Sequence, residues 1–260
     1  MAFLDEDFAA RLEDAPDPSI VVEELFEKAR STSEERFFCS IVDIERMTHD
    51  NKSYLVCQMT RQWVVQQFAE YFSRVAVSIR DFPDQKDADF VRRLHMLAYS
   101  QFWECLGVQR LLQQLVNIAS GREYEPRLFL DGRPKTYQLF KYLGKIAAVA
   151  NLQISKFLTA VYSNQIRNAF AHSEFWIIGE YVTFQNHDAS KEYSIPSLKL
   201  VTWDKLFAVT SDFIEALFSA RREAESELKA KAPYRVCLNE FKGSFAFTKD
   251  EGGYWSAKSS

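Results

Sequence analysis

Residues 162–184 read YSNQIRNAFAHSEFWIIGEYVTF, and the stretch changes period half-way. Its first part is the end of a helix expected from about Gln153 to Ala171. Its second part, FWIIGEYVTFQN, is rich in aromatic and β-branched residues, with Gly179 as a turn position, and reads as strand. With EYSIPSLKLV further on, it makes a small sheet of two or three strands near residues 175–201. Three polar residues, Arg167, Asn168 and His172, stand where the helix gives way to the sheet.

Outward from this point, helical signals dominate. Gly (8) and Pro (7) are scarce, which disfavours a strand-and-turn protein. SIVVEELFEKARS is a short amphipathic helix with Ser19 as N-cap, and SEERFFCSIVDIERM is a second. Apolar positions at three- and four-residue spacing predict a long helix over YLVCQMTRQWVVQQFAEYFSRVAVSIR, capped by Ser53 and stopped before Pro83. Another is expected from about Ala88 to Ala119, with Gly121 as its stop. A loop containing DGRP follows, then a helix from about Thr136 to Ala150. Thr202 caps a last long helix that Pro233 ends, and the tail after it has strand-like pieces with a Gly/Ser/Lys end expected to be loose. The fold class is therefore mainly α: an antiparallel bundle of four or five long helices with a small β insertion before the last long helix. Three parts are expected: an acidic segment with a short helix (1–35), the bundle (36–232) and a C-terminal tail (233–260).

Composition limits the function classes. The chain of 260 residues is 47% hydrophobic and 26% charged, enough for a sizeable core. No apolar run approaches the roughly 18 residues of a membrane span, and the acidic N-terminus does not read as a secretory signal. Cys39, Cys57, Cys105 and Cys237 lack metal-knuckle or redox spacing, so free thiols in a reducing cytoplasm are expected. No Glu-x-x-His pair or glycine-rich phosphate loop is present, and no metal or other cofactor is expected. Net charge is −4, but residues 1–27 carry nine acids against Arg11 alone. Segment 121–156 carries seven bases, among them Lys141 and Lys145, against three acids. That segment is either a solvated face or a local basic surface.

The trio at 167–172 has specific chemistry. On a regular helix Arg167 and His172 lie about 140° apart and do not share a stripe, whereas Asn168 and His172, four apart, do. An amide there can hydrogen-bond one imidazole nitrogen and fix which nitrogen is free. An arginine grips phosphate with a planar charged fork, and a histidine exchanges protons near neutral pH. Together they suffice, without metal, to activate a ribose 2′-OH and stabilise a phosphate under attack. The plain reading is an exposed Arg167 and a His172 that complements the helix dipole. His95 reads as an ordinary helix residue, and His49 and His187 as exposed loop residues. The aromatic stripes of RQWVVQQFAEYF and YSQFWECL read as core before they read as base-stacking platforms.

The segment IRNAFAH resembles the signature of HEPN domains, which is an arginine, a polar residue, a few more positions and a histidine. The resemblance includes the hairpin and long helix that follow, covers about residues 136–232, and extends less distinctly back to 53. It implies an all-helical bundle that forms homodimers. It also implies a metal-independent endoribonuclease of the toxin–antitoxin, phage-defence or RNA-processing kind, with RNA and an antitoxin or other defence-system protein as partners. In that family Arg167 and His172 would be the catalytic pair and Asn168 the intervening polar group. Other members are non-catalytic binding or dimerisation modules. Residues 1–27 could then mimic nucleic acid and shield the site.

Overall fold

A computed structural model describes residues 5–42, 85–124, 136–188, 195–231, 233–238, 243–249 and 255–259 of the chain. Among the described residues there are nine helices and two three-stranded antiparallel sheets. The helices are α1 (Asp5–Glu13), α2 (Pro18–Thr32), α3 (Glu34–Val42), α4 (Gln85–Glu104), α5 (Leu106–Ala119), α6 (Thr136–Val149), α7 (Ile154–Val161), α8 (Asn164–His172) and α9 (Leu200–Ala230). The first sheet, in order β1–β2–β3, comprises Phe175–Ile178, Tyr181–Phe184 and Ser197–Lys199. The second, β4–β5–β6, comprises Tyr234–Leu238, Gly243–Lys249 and Trp255–Ser259. The mainly helical class and the small sheet before the last long helix match expectation. The helix expected over residues 54–80, its aromatic stripe, Ser53, His49, Cys57 and the DGRP turn lie outside the described residues.

Two expected long helices are each broken in two, one two residues before Gly107 and the other with no Pro or Gly nearby. Between α7 and α8, Tyr99 of α4 supplies the reason. Its hydroxyl donates to the Val161 carbonyl (2.8 Å) and accepts from the Ser163 amide (3.2 Å), replacing bonds the helix would otherwise have made internally. Ser163 then caps α8 by accepting from the Ile166 amide (3.3 Å). Between α4 and α5, extended Cys105 interrupts the run, and the Gln109 side chain donates to the freed Trp103 carbonyl (2.6 Å). Tyr99 is not readable from local sequence in the first case, because it is 62 residues from Val161.

Caps also differ from expectation. Asp17, not Ser19, caps α2: its carboxylate accepts from the amides of Ser19 (2.9 Å) and Ile20 (3.2 Å), and Pro18 takes the first helical position. Lys199, leaving β3, precedes α9, so Thr202 is a buried residue of the first turn, not a cap. Three helices end in a left-handed residue with a six-to-one hydrogen bond behind it: Gly121 after α5, Asn151 after α6 and Ser173 after α8. The strand-like pieces read in the tail are the strands β4 and β5, and the Gly/Ser/Lys end, expected to be loose, includes β6.

One continuous buried cluster runs from Phe8 and Leu12 of α1 through α2–α8 to Leu228 of α9. The acidic N-terminal segment contributes Val21, Val22 and Leu25 to it. Near the end of α8 the packing is aromatic. Phe170 meets Tyr99, Phe175 and Trp203 edge-on, with centroids 6.1, 5.1 and 4.7 Å away. The inner face of the first sheet (Val182, Phe184 and Leu198) closes over this cluster, while Trp176, Ile178 and Tyr181 stay outside. The aromatic stripe Tyr99, Phe102 and Trp103 is core, as read from the sequence.

Candidate functional site

α8 is seated by its own spacing. Ile166, Ala169 and Phe170, at three- and four-residue intervals, are buried against α4 and the sheet. Gln165 fastens its N-terminus from the other side. The Gln165 amide donates to the Ile195 carbonyl (2.7 Å) and accepts from the Ile195 amide (2.9 Å), and Asn186 donates to the Gln165 carbonyl (2.9 Å). At the far end the Glu174 amide reaches back to the Ala169 carbonyl (2.8 Å), with Ser173 at φ 58°. His172 is thus the last helical residue, and its helix cannot fray without breaking this turn.

This geometry divides the trio. Asn164, Gln165, Asn168 and His172 follow one face of α8 and line a cleft of about 1130 Å³. α6 contributes Tyr137, Lys141 and Lys145 at helical spacing, α7 contributes Ser155 and Thr159, and α1 contributes Phe8 and Arg11. Three cations face one carboxylate, Glu174, so the cleft is locally basic in a chain of net charge −4. Of the bases read in segment 121–156, Lys141 and Lys145 are on the cleft; Arg127, Arg133 and Lys135 lie outside the described residues. Arg11 packs over Phe8 and points a guanidinium nitrogen at the Thr159 carbonyl (3.5 Å). His172 is exposed, and Asn168 is half-buried. No hydrogen bond joins them.

Arg167 lies off this face and does not line the cleft. Its Nη1 is ion-paired with Glu104 at the end of α4, and its Nη2 donates to Asn164 Oδ1 (2.7 Å). The side chain is 13% exposed, so the plain reading of an exposed arginine does not hold. Nε is buried without a hydrogen-bond partner among the described residues. Burial pulls the guanidinium pKa down from its usual value, and the group stays cationic. Burial also pushes the Tyr99 hydroxyl well up, so it remains a neutral donor to Val161.

Two further histidines, His95 and His187, are among the described residues. His95 is 1% exposed and stacked on Phe207, centroids 4.0 Å apart and planes 9° apart. Burial, with Arg92 adding to it, holds its pKa down at about 4. His187 is half-buried after β2, not fully exposed as read. Cys39 and Cys105 are buried free thiols. Among the described residues no cluster of His, Cys, Asp and Glu could hold a metal ion, and no helix is long and apolar enough to cross a membrane.

Residues the sequence reading passed over are Asn164, Glu104 and Arg11. Asn164 stands three before Arg167, a spacing at which helical side chains touch, so it was within reach. Glu104 is 63 residues away and joins the site only through the α4–α8 packing. No protein-family model, curated protein or solved structure matches the chain.

Proposed function

We propose that the protein is a HEPN-like, metal-independent endoribonuclease that binds RNA in the cleft between α6 and α8. The observation that carries this reading is the joint placement of His172 and Asn168 on a large cleft with Arg11, Lys141 and Lys145. A backbone phosphate entering the cleft meets lysine charges that are exposed and not ion-paired among the described residues. His172 takes the proton from a ribose 2′-OH, the 2′-oxygen bonds to phosphorus, and the bond to the 5′-oxygen breaks. The 5′-oxygen leaves with a proton from solvent, His172 returns its own proton to solvent, and a 2′,3′-cyclic phosphate is left. Asn168 sits one turn before His172 on the same face, where its amide can hold the phosphate or the imidazole. The reading carries with it a homodimer, as the family resemblance implies, and a place in a toxin–antitoxin or defence system.

One observation favours the second reading, a non-catalytic HEPN binding module. Arg167, the residue the resemblance makes catalytic, is committed to Glu104 and Asn164 inside the subunit. Digestion of RNA in excess chelator by wild type and by His172→Ala separates the two. Cleavage by the wild type alone supports the nuclease. Binding without cleavage by either supports the module, and equal cleavage by both removes His172 from the chemistry.

A further inference from the structure

We infer that Arg167 is a positioning residue and that Asn164 is the group it positions, a hydrogen-bond donor fixed on the cleft wall for RNA. This rests on the RNA-binding reading above but assigns the arginine a different task. A guanidinium has only donors, so the Asn164 atom that meets Nη2 at 2.7 Å is necessarily the oxygen. The amide cannot flip, because its NH2 would then face a cation. With Oδ1 held by Arg167, Asn164 turns its two N–H donors to its other side. It lines the cleft, and Nδ2 makes no hydrogen bond to any described residue. Arg167 in turn is held by Glu104 from α4. The Ser163 amide, one residue before Asn164, is pinned by Tyr99 of the same helix. The chain Glu104–Arg167–Asn164 therefore runs from the end of α4 through a largely buried guanidinium to the cleft surface and ends in a donor pair of fixed orientation. Phosphate oxygens and base carbonyls are acceptors, and a donor whose rotamer is already set loses little freedom on binding them. Charge for the phosphates comes from the cleft lysines instead.

The test is a double-mutant cycle on RNA binding. The probe is a fluorescein-labelled single-stranded RNA of about a dozen nucleotides, fully 2′-O-methylated so that it cannot be cut, followed by anisotropy over a range of salt. Asn164→Ala is expected to weaken binding about 5–10-fold, the effect of one lost hydrogen bond, with the salt slope unchanged because no charge is removed. Arg167→Gln is expected to weaken it similarly, and the double variant no further than either. On cleavable RNA, Asn164→Ala raises KM and leaves kcat within about twofold. A melting curve checks folding, and Arg167→Met, which offers Asn164 no donor, replaces Arg167→Gln if the latter does not fold. Multiplying effects with a reduced salt slope for the Arg167 variant would mean that the arginine touches phosphate itself, and this overturns the inference. So does an Asn164→Ala protein that binds like wild type, or an Arg167 variant that does. Wild type that fails to bind RNA removes the RNA reading, and this inference with it.

Discussion

Glu104→Gln tests the ion pair that ties α4 to α8. The substitution keeps the shape and an acceptor oxygen but removes the charge opposite the Arg167 guanidinium. A hydrogen bond to a charged group contributes about 1.5–3 kcal/mol. Arg167 is 13% exposed and Glu104 37%. Water therefore reaches the carboxylate side and recovers part of the loss, as it does for exposed pairs of about 0–1 kcal/mol. The second bond, to Asn164, survives the change. The expected cost is about 1–2 kcal/mol. A domain of this size has a urea slope near or above 3 kcal/mol per molar, so the midpoint of unfolding, followed by circular dichroism at 222 nm, falls by about 0.5 M. Arg167→Gln costs a similar amount, and the double variant is expected to show a coupling of about 1 kcal/mol. A midpoint shift under about 0.1 M for Glu104→Gln, or a coupling of zero, would refute the claim that this pair holds the helices in register.

Protonation of His95 is expected to cost stability in acid. Its folded pKa is about 4, below the usual 6.5, so the unfolded chain binds the proton first as pH falls. The stability from keeping it neutral is fully present above pH 6.5 and is lost progressively down to about pH 4. At about 1.4 kcal/mol per pH unit this corresponds to about 3 kcal/mol. His95→Phe, which preserves the stack on Phe207, should flatten that window in urea titrations at successive pH values; an unchanged profile contradicts it. Trp203→Ala opens a cavity among Tyr99, Phe170 and Phe207 and should cost about 3–5 kcal/mol by the same assay. Asp17→Ala removes two capping bonds from α2 and should cost about 1 kcal/mol, whereas Ser19→Ala should cost clearly less.

Much of the helical order was legible because periodicity is a local signal. Thr136–Val149 was found within a residue at its end, and the sheet before α9 was found from its β-branched and aromatic run. The errors occurred where distant residues intervene. Tyr99 breaks the helix expected from Gln153 to Ala171 by substituting for its backbone bonds, and nothing between 153 and 171 announces this. Asp17 outcompetes Ser19 because a carboxylate before Pro18 reaches two amides at once. At the site, the shared face of Asn168 and His172 followed from four-residue spacing. The fate of Arg167 did not, because its partner Glu104 comes from another helix. Spacing fixes the direction in which a side chain leaves its helix, and the tertiary fold determines what it meets there.

The decisive measurement is the chemistry of the ends that the wild-type protein leaves on a short RNA digested in excess chelator, read by mass spectrometry. Transesterification by His172 gives a 2′,3′-cyclic phosphate on the 5′ fragment and a free 5′-hydroxyl on the other, and both disappear with His172→Ala or with a 2′-deoxy residue at the cut. Fragments carrying 5′-phosphates, cleavage that survives loss of the 2′-hydroxyl, or intact RNA at all protein concentrations would contradict the proposed nuclease.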